Sequence, residues 1–203
     1  MSLLGIDVGT TGCKVIAFNI EGQILAQAYD EYPLLHSQPG WSELDSYVVW
    51  EKISGCIQSV AQHTKSDPVE AISVASQGEA VTPISKSGEI LANTITSFDS
   101  RTTGISNEIG KEVSKLDLMK ITGIPLSDIT TLAKIIWIQQ YQPNVFEQTW
   151  KFLGYEDFVF YKLGMPPVID YSLAARTMLF DVIQKDWSEQ MLNMINVDSS
   201  MFA

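Results

Sequence analysis

Positive charge is scarce in this chain: 13 Lys and Arg stand against 24 Asp and Glu, a net charge of −11 with histidine neutral. Such a surface repels nucleic acid and anionic membranes, which sets both aside as main partners. It also repels phosphorylated small molecules, so a phosphate site needs local neutralisation by turn amides, a lysine or a metal ion. Cysteine and histidine are nearly missing. Cys13 and Cys56 lack metal-ligand spacing and are too few for a disulfide framework, so two buried thiols in a reducing, cytoplasmic setting are expected. His36 and His63 stand far apart, in loop or helix-end contexts that suit solvated side chains. No apolar run approaches the roughly 18 residues of a membrane span. No basic segment precedes an apolar run at the N-terminus, so no signal peptide is expected. Internal repeats, low-complexity tracts and Pro/Gly/Ser linkers are missing too, and 203 residues then suggest one α/β domain with a mixed sheet.

What is present begins at the N-terminus. In Leu4-Gly-Ile-Asp-Val-Gly-Thr-Thr-Gly-Cys-Lys14, an apolar strand delivers Asp7 into a turn of Gly9, Thr10, Thr11 and Gly12. The chain then returns as a second strand from Lys14 to Ile20. Glycine lets the backbone approach a ligand closely, the turn amides and Thr hydroxyls can donate, and Lys14 adds positive charge. That chemistry suits phosphate, and Asp7 is placed to hold Mg²⁺ or its waters. No GxxxxGK[ST] occurs and no helix follows the turn, so this is not a P-loop. The same residues also suit an ordinary hairpin with a polar tip.

Leu3–Val8, Lys14–Ile20 and Ile24–Tyr32 read as an antiparallel meander. Asp45 is a candidate N-cap for a helix running to about His63, with Val48, Val49, Ile53, Cys56, Ile57 and Val60 on its apolar face. Val69–Ser76 reads as a strand, and Val81–Ser85 with Ile90–Asn93 as a hairpin. Helices are expected over Ile105–Ile121, Thr131–Tyr141, Val145–Phe152, Glu156–Leu163 and Trp187–Ile195. Asp170–Phe180 reads as strand-like or irregular. The five tryptophans suit core positions better than ligand stacking.

Two polar clusters follow the strands. Gln77 and Glu79 lie just beyond Val69–Ser76, where open α/β sheets bind ligands, and their acceptors suit the hydroxyls of a sugar or polyol. A solvated turn is the alternative. Asp99 and Arg101 either fix a loop as an ion pair or reach substrate hydroxyls, with Phe98 as an apolar floor. Asp170 and Arg176 read as ties between a loop and the sheet.

Together these segments resemble the FGGY family of carbohydrate kinases, over nearly the whole chain. Asp7-x-Gly9-Thr10-Thr11-x-x-Lys14 is similar to the phosphate hairpin that the family shares with actin, hexokinase and Hsp70. Pro39-Gly40-Trp41-x-Glu43-x-Asp45, Ile121-Thr122-Gly123-x-Pro125 with Lys134 and Trp137, Asp157, and Asp170-x-Ser172-x-Ala174-x-Arg176-Thr177 resemble further family segments in the family's order. There are departures. Glu79 matches the Glu that glycerol kinases carry after this strand, but Gly78 stands where many members carry Arg or Met, Ser97 where a Trp is usual, and Ile129 where glycerol kinases place a substrate Tyr. Glycerol is therefore disfavoured, and the xylulokinase-type His is missing as well. The substrate is left as a polyol, a ketose or a sugar acid.

The resemblance implies a ribonuclease H-like (actin-like ATPase) fold, with a mixed five-stranded sheet flanked by helices. It implies ATP-dependent phosphorylation of a sugar or polyol hydroxyl, with ATP and Mg²⁺ as cofactors. Gly9, Thr10, Thr11, Gly12 and Lys14 would face the nucleotide phosphates, Asp7 the metal, and Gln77, Glu79, Asp99 and Arg101 the substrate. Residues 1–203 would be the N-terminal, substrate-side domain, incomplete at its end. The general-base Asp, the second phosphate loop and the adenosine pocket would lie beyond Ala203, so the chain alone is expected not to turn over. An uncovered apolar face is then expected to drive homodimerisation or association with the missing C-terminal domain. A stand-alone sugar-binding or regulatory module, or half of a split kinase, is the competing expectation.

Overall fold

The computed structural model describes residues 1–203, and their contacts divide into two compact units. The first comprises Met1–Leu34 and Leu44–Gln77, the second Leu35–Glu43 and Gly78–Ala203. The chain passes from the second to the first within the two-residue strand β4 (Glu43–Leu44).

The first unit is built on β1 (Ser2–Val8), β2 (Gly12–Asn19), β3 (Ile24–Glu31), helix α1 (Ser46–His63) and β5 (Val69–Ser76). The strands lie in the order β3-β2-β1-β5, with β1 antiparallel to β2 and parallel to β5. That makes a mixed sheet of four strands rather than five. After β5 the chain leaves at Gln77 and adds no further strand to it. Strict alternation sets the faces: Leu4, Ile6 and Val8 of β1 and Cys13, Val15 and Ala17 of β2 are buried, as are Val49, Ile53, Cys56 and Val60 of α1. Asp45 caps α1, its side chain accepting from the amides of Tyr47 and Val48. Asp7 and Lys14 are register partners, and both are exposed. Burial pushes the Cys13 thiol up to about 12, with Cys56 beside it, as expected of inert core thiols.

The second unit contains β6 (Thr82–Ile84), β7 (Thr94–Ile95), α2 (Ile105–Glu112), α3 (Lys115–Thr122), α4 (Thr131–Tyr141), α5 (Pro143–Gln148) and β8 (Lys151–Leu153). It continues with α6 (Tyr155–Lys162), α7 (Tyr171–Arg176), β9 (Phe180–Asp181), β10 (Asp186–Trp187) and α8 (Glu189–Met194). Its core gathers α4, α2 and α8 side chains, including Leu132, Ile135, Ile138, Ile109 and Leu192, with Phe152 and Met178.

Several elements depart from the sequence reading. The helix expected over Ile105–Ile121 is two helices, because Val113 is extended and buried while Ser114 caps α3 by accepting from the Asp117 amide. Val145–Phe152 is not one helix: α5 ends at Gln148, and Lys151–Leu153 pairs antiparallel with Thr82–Ile84. The expected hairpin is present in short form beside it, through the Ile84–Ile90 bridge and the bonds from Ser85 N to Glu89 O at 2.9 Å and from Leu91 N to Pro83 O at 3.0 Å. Asp170–Phe180 contains α7, capped by Asp170 through the Leu173 amide at 2.7 Å. The final helix starts at Glu189 rather than Trp187, which pairs with Phe180 in a short ladder. No helix is long and apolar enough to cross a membrane.

Candidate functional site

The β1–β2 turn is held from behind. Gly9 N donates to Gly12 O at 3.0 Å, and Tyr32 N donates to Thr11 O at 3.2 Å. The buried Tyr32 hydroxyl lies 2.7 Å from Gly9 O and 2.9 Å from Gly12 O. Gln77 Nε2 donates to Gly9 O at 3.2 Å, and Gln77 N to Val8 O at 3.0 Å. The turn's inward carbonyls are thus satisfied. By contrast, the amides and hydroxyls of Thr10 and Thr11 make no hydrogen bond within the protein, and both residues are at least partly exposed. Glycine at position 12 is a steric demand: a Cβ there would come within 2.7 Å of both Asp30 O and the Tyr29 hydroxyl. A tip with outward donors and braced carbonyls has the chemistry of an anion cradle.

Asp7 and Lys14 lie at one end of an open depression of about 260 Å³ on the sheet face that α1 leaves uncovered; Gly5, Ile16, Phe18 and Ser73 line the rest. No cluster of three or more His, Cys, Asp or Glu is arranged to hold a metal ion. A single exposed carboxylate fits Mg²⁺ only in the manner of a nucleotide-bound ion, which keeps waters and takes its other oxygens from phosphate.

Gln77 is the one expected substrate residue of this first unit, and the structure divides its amide. The NH₂ braces the hairpin, while Oε1 is buried and has no hydrogen-bond partner. A buried acceptor without a donor is costly, and a ligand hydroxyl would satisfy it.

In the second unit, Glu79 sits in a turn with φ of 58°, in the left-handed region. Its carbonyl accepts from Lys134 Nζ at 2.6 Å, and the same Nζ donates to Ile129 O at 2.6 Å. Lys134 is fully buried, with no carboxylate in contact, and burial pulls its ammonium down to about 7 against the attraction of Glu79 and Asp99. The Glu79 carboxylate forms an ion pair with Arg176 Nη2. Sequence reasoning missed both partners. Lys134 is legible only as a lone cation in an otherwise apolar helix, and Arg176 pairs with Glu79 rather than serving as a loop tie.

Asp99 and Arg101 do come together, but inward. Asp99 accepts from Arg101 N and Nε at 2.8 Å each, from Nη2 at 2.7 Å and from Ser42 N at 2.6 Å. Arg101 Nη2 also donates to Glu43 at 2.8 Å. The guanidinium carbon lies 3.7 Å from the Trp41 ring centre and 4.8 Å from that of Trp137. All three charged side chains are nearly inaccessible, at 2% for Arg101, 9% for Glu43 and 0% for Asp99. This is the loop-fixing ion pair of the two sequence alternatives, extended by Glu43 and two rings. Phe98, 71% exposed, covers none of it from solvent. Asp157 is buried at the start of α6 with its carboxyl raised by desolvation and Oδ1 without a partner.

Comparison with known proteins gives this geometry a context. The 31% identical glycerol kinase of Thermococcus onnurineus (strain NA1) aligns over 201 residues, 96% of this chain and 41% of the relative. The xylulose kinase of Staphylococcus xylosus is 26% identical over 98% of the chain and 41% of the relative. Among solved structures, the gluconate kinase of Lactobacillus acidophilus superposes with a TM-score of 0.91 at 24% identity, covering 99% of this chain and 41% of that one. Plasmodium falciparum glycerol kinase with ADP gives 0.92 at 22% identity, again over 99% and 42%. These structures share the fold, and the chain spans about two fifths of the length of the relatives it matches. The family model described as "FGGY family of carbohydrate kinases, N-terminal domain" matches residues 2–203, and the chain belongs to that family.

Proposed function

We propose that this chain is the phosphate- and substrate-facing part of an ATP-dependent kinase acting on a hydroxyl of a small sugar, ketose, polyol or sugar acid. The observation that carries the reading is the braced β1–β2 turn, whose Thr10 and Thr11 amides and hydroxyls stay unpaired. Bound MgATP would supply the transferable phosphoryl group and much of the charge neutralisation. Thr10 and Thr11 orient phosphate oxygens through fixed donors, Gly9 and Gly12 let the backbone come close to them, Lys14 adds a positive charge, and Asp7 takes a metal-bound water or the metal. Gln77 Oε1 accepts from a ligand hydroxyl, and Glu79 orients a substrate hydroxyl. Phosphoryl transfer depends on such positioning and on fixed electrostatics more than on covalent chemistry by the protein. Asp99 and Arg101 contribute by holding their loop.

The relatives extend well beyond the matched stretch, so turnover is assigned to the full-length kinase and not to these residues alone. The test is ADP release by the product of the complete reading frame against pentuloses, hexuloses, polyols and sugar acids. One acceptor should stimulate ADP release at least tenfold, and a Thr10→Val, Thr11→Val double variant should lose most of that rate. No stimulation by any acceptor in a folded, full-length product would overturn the assignment. Acceptor-dependent turnover by the purified 203-residue chain would instead overturn the claim that it needs the remainder.

A further inference from the structure

Gly78 and Arg176 occupy complementary positions. A Cβ built on Gly78 would lie 3.5 Å from Arg176 Cγ, 3.6 Å from its Cβ and 3.8 Å from Nε. The arginine stem therefore lies across the bare backbone of residue 78, and from there Nη2 reaches the Glu79 carboxylate. The two partners differ in access: the Arg176 side chain is 47% exposed, that of Glu79 only 7%. Each is fixed independently. Arg176 ends α7, which Asp170 caps, and the Asp170 amide is held by Glu156 at 2.9 Å. Glu79 is fixed through its carbonyl by the buried Lys134. Apart from the Glu79 contact, the guanidinium N–H groups make no bond inside the protein. The result is a carboxylate and a guanidinium side by side, with the donors of the guanidinium still open to solvent.

We propose that Glu79 and Arg176 form a recognition pair for two adjacent hydroxyls of a neutral sugar or polyol, and that Arg176 determines specificity. The carboxylate accepts one hydroxyl proton while the guanidinium fork donates to the neighbouring oxygen, which matches a vicinal diol on both sides. A sugar acid is disfavoured, because its carboxylate would meet Arg176 already paired and Glu79 as a like charge. This rests on the kinase reading above and narrows it to neutral polyols and ketoses. It also assigns a role to a residue that the sequence presents as a loop tie.

The test is direct binding to the full-length product, with the backbone amide shifts of Gly78 and Glu79 followed on titration with xylitol, D-xylulose, glycerol and gluconate. At least one neutral probe should bind and shift both amides. Arg176→Ala should weaken it tenfold or more, and Arg176→Lys should recover only part of the loss. Glu79→Gln should weaken the neutral probe and bring gluconate closer to it. Arg176→Ala leaves the buried Glu79 carboxylate without its cation and is expected to lower the thermal midpoint, so a native-like, dispersed amide spectrum of each variant before titration serves as the folding control. Unchanged affinity in Arg176→Ala, gluconate binding tighter than every neutral probe, or no probe shifting the two amides would overturn the pair. The ADP-release screen separates the outcomes: a gluconate-stimulated kinase would sink this inference and leave the kinase standing, whereas a full-length product that no acceptor stimulates would sink the kinase itself.

Discussion

The two units treat polar groups in opposite ways. In the first, the fold braces the carbonyls of the β1–β2 turn and leaves the Thr10 and Thr11 amides and hydroxyls unpaired. In the second, charged side chains are plentiful and the fold pairs them with one another: Arg101 with Asp99 and Glu43, Arg176 with Glu79, Lys134 with two carbonyls. An Asp and an Arg two residues apart therefore say little about ligand binding until their burial is known. A buried guanidinium held by two carboxylates and two rings offers little to a substrate, whereas a half-exposed one beside a buried carboxylate keeps open donors.

The sharpest way to break this contrast is Arg101→Met. Removing the cation leaves Asp99 and Glu43 as buried, uncompensated carboxylates, with an expected loss of about 3–5 kcal/mol. The urea midpoint of the chain reads it, and Arg101→Lys should recover only a fraction because the bidentate geometry and ring contacts go. An unmoved midpoint would mean that the network is not structural, and Arg101 would return as a substrate residue.

Lys134→Met comes next. It orphans the Glu79 and Ile129 carbonyls, at about 1–3 kcal/mol each, less what is regained by no longer burying an amine. Its pH signature is distinctive. Burial lowers the amine from 10.5 to about 7 in the folded state, so between those values the unfolded chain holds the extra proton. Stability contributed by this site therefore rises with pH across that window and is flat below it. The neutral amine still has two N–H groups for its two carbonyls. Denaturation at several pH values should show this rise in the wild type and a flatter profile in Lys134→Met.

In the first unit the effects are smaller and local. Gly12→Ala should cost about 1–3 kcal/mol through overpacking against the Asp30 carbonyl and Tyr29, measured as a fall in thermal midpoint. Tyr32→Phe should cost about 1 kcal/mol by removing the hydroxyl behind the turn. In the full-length kinase it should also weaken nucleotide binding, read by titration with ADP, while leaving the wild-type response of Gly78 and Glu79 to polyols. An equal loss in both readouts would erase the distinction between the two units.

Much of the first unit is legible because its signals are local. The apolar alternation of Leu4, Ile6 and Val8 fixes which face of β1 is buried, and Asp45 with the Val49–Ile53–Cys56–Val60 face marks α1 to within a residue at each end. In the second unit, Thr131–Tyr141 is equally legible, since its apolar residues are dense and Pro143 stops it. What fails there depends on distant partners. Lys151–Leu153 becomes a strand because Thr82–Ile84 offers it a ladder, and no window around Phe152 contains that information. Val113 breaks a helix whose apolar spacing continues through it, because its backbone is extended where it joins the core.

The candidate site divides along the same line. The glycines, threonines and Asp7 of the first turn are contiguous in sequence, so their chemistry can be read from their order alone. The sequence by itself determined the family, the glycine and threonine turn between two strands, and the placement of Gln77 and Glu79 just past the end of a strand. Only the tertiary structure decided which charges remain available. It turned Asp99 and Arg101 inward with the guanidinium against Trp41 and Trp137, set Lys134 beneath Glu79 and brought Arg176 across Gly78. The physical reason is that burial and pairing control whether a charged group can meet a ligand, and both are set by side chains far away along the chain.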